Sequence, residues 1–239
     1  MSIDKKRKMP ICLTIEDEDG MDGWPYDAIV PVVFSKSRKG LEGECSFGAY
    51  PILRSYLEEF GAHPFTKKAL TVLNERLESY LSSLGCVRGP GVYRYYNSYV
   101  LWDRRRLNIG AILPSSQMLT GDLLRAVKVN RTGFDLSELL DAGLPAALTL
   151  IGGEVVSLCT INPHGKKQRL LELTVYTRRE HRRQGYGRSN AAMLTDYLLQ
   201  NKRGAVYVTS CRNRASIALA KSLGFVGDSR FYAVDAYKI

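Results

Sequence analysis

The residue types with the clearest chemical meaning lie between positions 182 and 188, where two glycines stand among three arginines. The segment reads Arg182-Arg183-Gln184-Gly185-Tyr186-Gly187-Arg188. Glycine lets the main chain adopt conformations that a Cβ forbids and lets a bulky ligand approach the backbone closely. The spacing Arg182-x-x-Gly185-x-Gly187 is neither Gly-x-Gly-x-x-Gly nor Gly-x-x-x-x-Gly-Lys-Ser/Thr, so it does not match two common phosphate-binding loops.

The elements on either side of this turn indicate how it is positioned. Leu170 to Val175 has the composition of a strand, and Arg188 to Gln200 carries Ala191, Leu194 and Leu198 at helical spacing. A helix that begins at the glycines offers unpaired N–H groups and the positive end of its dipole. The order strand, glycine turn, helix therefore predicts a site for an anion such as a pyrophosphate, although an ordinary strand-to-helix turn also uses glycine.

A second unit of strand and helix follows. Ala205 to Ser210 reads as a strand, and the helix from Asn213 to Phe225 has Asn213 as a candidate N-cap and Gly224 as its end. Upstream, Ala146 to Ile151 and Val155 to Thr160 flank Gly152-Gly153, which predicts a hairpin leading to the strand at Leu170.

These residues resemble the GNAT superfamily of acyl-CoA-dependent N-acyltransferases. The resemblance depends on Arg182-x-x-Gly185-x-Gly187 after a strand, and on Asn213 with the ending Ala220-Lys221-Ser222-Leu223-Gly224-Phe225. Cys211-x-Asn213-x-x-Ser216 and the strand Glu172 to Thr177 make the zwittermicin-resistance acetyltransferase branch the most similar one. The resemblance implies an α/β fold with a mixed sheet, in which two strands separate beside the glycine turn and admit the cofactor.

The resemblance also implies acetyl-CoA as cosubstrate and suggests which residues contact it. The main chain of Thr174, Val175 and Tyr176 is expected to grip the pantetheine arm, and the turn from Arg182 to Arg188 to surround the pyrophosphate. Asn213 and Ser216 are candidates for hydrogen bonds to the pantetheine, although helix capping alone explains Asn213. The predicted cofactor residues are Thr174, Val175, Tyr176, Arg182, Arg183, Gln184, Gly185, Tyr186, Gly187, Arg188, Asn213 and Ser216.

The chemistry of acyl transfer needs a base, because a free alkylamine with a pKa of about ten is protonated near neutrality. The resemblance suggests Glu172, on the strand before the turn, as the base, and the N–H of Val175 as the donor to the carbonyl oxygen. A solvent-facing or arginine-paired glutamate and ordinary sheet hydrogen bonding are the alternatives. Many GNAT enzymes have a tyrosine where this chain has Ala220. Tyr232 or Tyr237 on the last strand is the candidate replacement as proton donor, with packing as the alternative.

The whole sequence is predicted to form three parts: a charged tail over 1–22, an accessory region over 23–114 and the acyltransferase domain over 115–239. Helices are expected at Tyr50 to Phe60, Lys67 to Leu84 and Ser115 to Lys128, with a strand at Val92 to Trp102. The C-terminal half is therefore the expected GNAT fold, preceded by a region of helices and strands.

The amino-acid composition limits the binding partners and the cellular location that we expect. The 34 basic and 24 acidic residues give a charge of +10, which permits binding to nucleic acid or polyphosphate ligands. Tyrosines 93, 95, 96 and 99 adjoin Arg94 and Arg104-Arg105-Arg106, as in single-strand nucleic-acid platforms. The five scattered cysteines and isolated histidines predict neither a disulfide framework nor a metal site. No apolar run approaches the roughly twenty residues of a membrane span, so we expect a cytoplasmic protein without membrane contact.

The leading prediction is an acetyl-CoA-dependent N-acetyltransferase that acts on a primary amine of unknown identity. Two alternatives remain open from the sequence. One is an acyl-CoA-binding regulator without turnover, because of Ala220, and the other is an RNA-associated acetyltransferase or binder, because of the charge and the tyrosine and arginine run.

Overall fold

The computed structural model describes residues 11–16, 22–23, 28–36, 40–88, 95–162 and 169–238. The chain forms two compact units, the first from Met1–Tyr96 with Ser229–Ile239 and the second from Asn97–Asp228. The boundary predicted at residue 114 lies inside the second unit, and most of the predicted tail 1–22 lies outside the described residues.

Thirteen strands and six α-helices are found in the described residues. The strands are β1 Ile11–Glu16, β2 Asp22–Gly23, β3 Ala28–Lys36, β4 Leu41–Ser46, β5 Cys86–Arg88, β6 Tyr95–Leu101, β7 Ser116–Met118, β8 Val129–Asn130, β9 Ala146–Ile151, β10 Glu154–Ile161, β11 Leu170–Thr177, β12 Gly204–Ser210 and β13 Val226–Lys238. The helices are α1 Tyr50–Phe60, α2 Lys67–Ser83, α3 Gly121–Ala126, α4 Leu136–Asp141, α5 Tyr186–Gln200 and α6 Arg214–Ser222.

The first unit packs α1 and α2 against a sheet. In this sheet β1 runs parallel to β4, while β3 lies antiparallel between β4 and β13, which also pairs with β5. Both helices form where they are predicted. Their buried apolar residues lie on the side that faces the sheet. Phe34 and Tyr56 are fully buried there with ring centroids 5.8 Å apart.

The second unit has a mixed sheet in the order β7-β9-β10-β11-β12. Neighbours from β7 to β11 are antiparallel, whereas β11 and β12 are parallel. The predicted hairpin is confirmed: β9 and β10 are joined by Gly152 and Gly153, whose φ angles of 59° and 84° suit the turn that follows the twist of paired strands. This arrangement confirms the predicted α/β class with a mixed sheet.

Helix α5 is the central helix of the second unit and lies against β7, β9, β10, β11 and β12. Its residues Ala191, Leu194 and Leu198 are buried, as their spacing predicts. None of the described helices is long and apolar enough to cross a membrane.

The helix predicted from Ser115 to Lys128 is wrong in its first half. Residues 116–118 form β7 against β9, and α3 begins only after Thr120, whose hydroxyl accepts a hydrogen bond from the Leu123 N–H at 3.2 Å. Ser116 is buried, with its Oγ 2.6 Å from the Oγ of Ser189 on α5. Contacts with distant residues therefore decide the conformation of this segment, and local helical spacing does not.

Candidate functional site

The central feature of the second unit is a separation of two parallel strands. Cα pairing between β11 and β12 ends at Glu172 and Val206, yet β11 continues to Thr177 and β12 to Ser210. The pairing of β11 with β10 on its other side extends to Thr177. The second half of β11 therefore has one paired edge and one open edge, and the open edge faces a gap next to β12.

The hydrogen-bond pattern with β10 shows which backbone groups face this gap. The Asn162 N–H donates to the Glu172 carbonyl at 2.8 Å, and the Arg178 N–H donates to the Val156 carbonyl at 3.0 Å. Because directions alternate along an antiparallel strand, the even-numbered residues of β11 bond to β10 and the odd-numbered ones point the other way. The N–H of Val175 therefore faces the gap, whereas those of Thr174 and Tyr176 face β10.

The glycine turn follows directly on β11. Arg183 and Gly185 have positive φ angles of 63° and 87°, and Gly185 is the N-cap of α5 with no side-chain hydrogen bond to the cap. The N–H groups of Tyr186, Gly187 and Arg188 belong to the first turn, where the helix itself provides no acceptor. The helix starts two residues earlier than predicted, so its exposed amides include Gly187.

The two glycines of the turn serve different purposes. At Gly185 the positive φ is what requires glycine, because the nearest atom to an added Cβ would be Leu113 Cδ1 at 3.7 Å. At Gly187 an added Cβ would lie 2.8 Å from Thr177 Oγ1 and 3.3 Å from Val175 Cγ1. Gly187 thus allows the first turn of α5 to approach the end of β11.

The arginines near the turn divide into those with protein partners and those without. Arg178 forms ion pairs with Glu154 and Glu180, and Arg182 Nε donates to the Thr177 carbonyl at 3.1 Å. Arg183 and Arg188 are exposed and form no ion pair with any described residue. These two side chains are therefore available to attract an anion held by the α5 amides.

Gln184 is also exposed, and its Nε2 donates a 3.5 Å hydrogen bond to the Glu180 carbonyl. This contact holds the side chain over the short turn Arg179–His181. Of the predicted residues 182–188, all lie in the turn or in the first helical turn, as the sequence pattern predicts.

Glu172 lies at the point where β11 and β12 separate. Its side chain is on the face opposite that of Val175, because successive strand residues alternate and Val175 packs on α5. The side chain is partly exposed, and no hydrogen bond or ion pair joins its carboxyl to another described residue. Burial penalises the charged carboxylate and raises the pKa of Glu172 above its ordinary value. A higher pKa makes this carboxylate a stronger base.

The N-terminus of α6 borders the continuation of β12. The Asn213 Oδ1 accepts a hydrogen bond from the Ser216 N–H at 3.1 Å, so Asn213 is a helix cap. Burial raises the pKa of Tyr207 on β12, and hydrogen bonding with the Ser216 side chain opposes this shift.

Sequence reasoning missed two residues of this region, Thr177 and Tyr207. Thr177 closes the end of β11: its Oγ1 is 2.9 Å from Ser157 Oγ, and its carbonyl holds Arg182. Tyr207 is buried on β12 with its ring 6.1 Å from that of Phe225. The alternation of β12 places Tyr207 among the buried positions and is the signal that could have identified it.

The candidate proton donor Tyr232 belongs to the first unit. Tyr232 is buried in the core of the first unit, where its hydroxyl donates to Asn74 Oδ1 at 3.2 Å. Ala220 is fully buried in α6, and the side chain of Tyr237 lies outside the described residues. A donor role for Tyr232 stays a prediction from the sequence, and in the structure its phenol has a hydrogen-bond partner within the core.

Several side chains of the tyrosine and arginine run have protein partners within the described residues. Arg104 makes a two-pronged ion pair with Asp196 on α5, and Arg105 pairs with Asp103. Tyr95 donates its hydroxyl to the Phe65 carbonyl at 2.7 Å, and Tyr99 is buried. Tyr93 and Arg94 lie outside the described residues. Arg105 and Arg106 stay exposed. Nucleic-acid binding by this run therefore stays a prediction from the sequence.

Comparison with known proteins gives one family. Residues 126–225 match the model of the Acetyltransferase (GNAT) family. This segment includes the hairpin, the strand gap, the glycine turn, α5 and α6, and it covers less than half of the chain. The predicted GNAT fold in the C-terminal half is therefore confirmed over these residues. No curated protein sequence matches the chain.

Several solved structures are similar to this chain in fold. A GNAT-family acetyltransferase structure from Novosphingobium aromaticivorans is 14% identical with a TM-score of 0.47, over 65% of this chain and 68% of the other. A GCN5-related N-acetyltransferase-like protein from Streptococcus suis is 18% identical with a TM-score of 0.47, over 68% of each chain. A ribosomal-protein-alanine N-acetyltransferase from Brucella melitensis is 22% identical with a TM-score of 0.37, over 52% of this chain and 99% of the other.

Proposed function

We propose that the protein is an acetyl-CoA-dependent N-acetyltransferase that transfers an acetyl group to a primary amine by direct attack on the thioester. The observation that carries the proposal is the gap between β11 and β12 beside the uncapped start of α5, within the segment that matches the GNAT family model. The gap exposes a strand edge, and the helix start exposes several amides.

The residues around the gap fit a thioester carrier with a diphosphate. The amides of Tyr186, Gly187 and Arg188 have no acceptor in the helix and would hold the diphosphate, aided by the charges of Arg183 and Arg188. The open edge of β11 at Val175 would pair with the amide groups of the pantetheine arm as a strand would. Arg182, Gln184 and Gly185 would shape the turn, while Asn213 and Ser216 would border the arm from α6.

The chemistry that acetyl-CoA supplies when bound is an acyl thioester. Glu172 would accept a proton from the amine nitrogen, directly or through water, so that the nitrogen has a lone pair to attack with. The Val175 N–H would donate a hydrogen bond to the carbonyl oxygen as negative charge develops on it. Since a thiol has a pKa near 8.5, the thiolate can leave without a dedicated proton donor, which is compatible with Ala220.

A second candidate function is acyl-CoA binding without turnover. It is favoured by two observations: Ala220 is fully buried in α6, and Tyr232 is enclosed in the core of the first unit. The cofactor site is the same in both proposals, and only the transfer step differs. The likeness to the zwittermicin-resistance branch stays a prediction from the sequence motifs, as does a cytoplasmic location.

The test measures thioester-dependent release of free thiol with a panel of primary amines, for the natural chain, Glu172→Gln and Glu138→Gln. Glu138 is an exposed residue of α4, so it serves as the control for the same chemical change. We expect release with at least one amine, loss of release in Glu172→Gln and no loss in Glu138→Gln. Undiminished release in Glu172→Gln would remove Glu172 from the mechanism.

Calorimetry with coenzyme A separates the two candidates. Binding of coenzyme A together with turnover supports the transferase, and binding without turnover on any amine supports the regulator. If coenzyme A does not bind to the folded chain, both candidates fail.

A further inference from the structure

The first unit contains a cavity that the proposed acetyltransferase function does not use. Its volume is about 420 Å³, and the described residues that line it are Lys36, Phe65, Tyr95 and Arg230. Two of these side chains are aromatic and two are cationic. A volume of this size is within the range of small-molecule sites.

The aromatic part of the lining is fixed by its surroundings. The Phe65 ring stacks on Phe34 with a centroid distance of 5.2 Å and an interplanar angle of 5°. The Tyr95 ring packs edge-on against both Phe65 and Tyr232, and its hydroxyl donates to the Phe65 carbonyl at 2.7 Å. Because Phe34 and Tyr232 belong to the buried core, the two lining rings are held in place before any ligand arrives.

Both cations line the cavity, and one of them lies over an aromatic ring. Arg230 Cζ lies 4.8 Å from the centroid of the Tyr95 ring, which places the guanidinium over the ring. Lys36 Nζ donates to the Ala62 carbonyl at 2.7 Å, so its described partner is a neutral acceptor. Neither cation forms an ion pair with a carboxylate among the described residues.

Such a combination favours a particular kind of ligand. A guanidinium that lies on a ring offers its N–H edge for hydrogen bonds and its outer face for stacking. The ammonium of Lys36 lines the same cavity and offers further donors to an anionic group. Neutral or cationic molecules would leave both charges without a counterion.

We propose that this cavity binds a small flat anion, with a carboxylate or phosphate held by Lys36 and Arg230 and an aromatic body placed against Phe65 and the Arg230 guanidinium. The site is distinct from the gap between β11 and β12, and its residues all belong to the first unit. The proposal is therefore independent of acetyl transfer.

Binding is tested on the full chain with probes that differ in one property at a time. 2-Naphthoate is compared with its neutral counterpart 2-naphthamide and with cyclohexanecarboxylate, which has the charge but no aromatic ring. Adenosine monophosphate and adenosine form a second pair, so that a carboxylate-bearing ligand is distinguished from a phosphate-bearing one. We expect saturable binding of at least one aromatic anion, with its neutral counterpart about tenfold weaker or more.

Variants locate the binding. Lys36→Met and Arg230→Gln should each weaken the binding of that anion about tenfold or more, because each removes a hydrogen bond to a charged group. Lys68→Met removes the same charge from an exposed position on α2 and should leave affinity unchanged. Phe65→Leu should weaken the binding of the aromatic anion and leave the binding of cyclohexanecarboxylate unchanged. Thermal unfolding establishes that each variant is folded.

Three results would overturn the proposal. They are the absence of saturable binding for both 2-naphthoate and adenosine monophosphate, equal binding of the neutral counterparts, and unchanged affinity in a folded Lys36→Met/Arg230→Gln double variant.

Discussion

Replacing Gly187 by alanine should push the first turn of α5 away from the end of β11. The new Cβ would lie 2.8 Å from Thr177 Oγ1 and 3.3 Å from Val175 Cγ1, which is closer than carbon and oxygen atoms pack without a shift. Thr177 cannot easily rotate away, since it is β-branched and its Oγ1 is 2.9 Å from Ser157 Oγ. The amides of the turn should therefore move from the gap at Val175.

The size of the effect follows from two opposing contributions. Overpacking costs about 1–3 kcal/mol, and replacing a helical glycine by alanine returns up to about 1 kcal/mol. We expect Gly187→Ala to lower the free energy of unfolding by about 1–2 kcal/mol. Because the same shift moves the amides that would hold the diphosphate, the affinity for coenzyme A should fall as well.

A double-mutant cycle with Thr177→Ala isolates the contact. Thr177→Ala alone should cost about 1 kcal/mol through the lost hydrogen bond to Ser157. Since it removes the atom that Gly187→Ala strikes, the double variant should be more stable than additivity predicts by about 1 kcal/mol, and coenzyme A affinity should partly return.

Gly185→Ala is the matched comparison. It should cost about 1–2 kcal/mol through its left-handed conformation, with no steric contact closer than the 3.7 Å to Leu113. Its effect should add to that of Thr177→Ala within about 0.5 kcal/mol. Urea unfolding and calorimetry with coenzyme A give all the quantities. Additive behaviour of Gly187→Ala with Thr177→Ala, in stability and in affinity, would refute the reasoning.

Three further predictions concern Glu172, Asn213 and Tyr232. Burial raises the pKa of Glu172, so its contribution to stability is present below the pKa of the unfolded chain and is lost as pH rises through the folded pKa. At a pH above the folded pKa, Glu172→Gln should therefore unfold at a higher temperature than the natural chain. Its transfer rate should fall about 10²- to 10⁴-fold. A lower unfolding temperature of the variant at that pH would contradict the burial of the carboxylate. Asn213→Ala should lower the free energy of unfolding in urea by about 1 kcal/mol, whereas Asn213→Ser should retain the helix cap. If Asn213→Ser keeps its stability but loses affinity for coenzyme A, Asn213 contacts the ligand. Tyr232→Phe should cost about 1 kcal/mol of unfolding free energy and leave the rate of thiol release unchanged. A large drop in that rate would instead support the predicted role as proton donor.

Much of the site could be predicted because its signals are local. Ala191, Leu194 and Leu198 share one helical face, and Asn213 precedes a helix it can cap, so both helices follow from spacing and capping alone. The glycine turn is likewise local, since a positive φ at position 185 depends mainly on the residue itself.

Other features depend on partners that are distant in sequence. Residues 116–118 belong to a segment predicted as a helix, yet they form a strand because β9 offers an edge and Ser189 offers a hydroxyl. The roles of the two glycines could not be separated from sequence, because the Thr177 that Gly187 approaches is fixed only by folding. Tyr232 is a further example. The sequence identifies it as a tyrosine that could donate a proton, but its burial beside Asn74 depends on α2 and β13 being adjacent in the first unit.

The register of β11 separates the two groups to which we assign the reaction. Val175 directs its N–H along the plane of the sheet into the gap, and its side chain packs under α5. Glu172 is three residues earlier, so its side chain points from the opposite face. A carrier held by the α5 amides and the edge of β11 would reach the gap from the end near α5, whereas an amine that meets Glu172 would approach from the face that α5 does not cover. If both assignments hold, the two substrates occupy separate approaches and can be bound together, which is the arrangement that direct attack on the thioester requires.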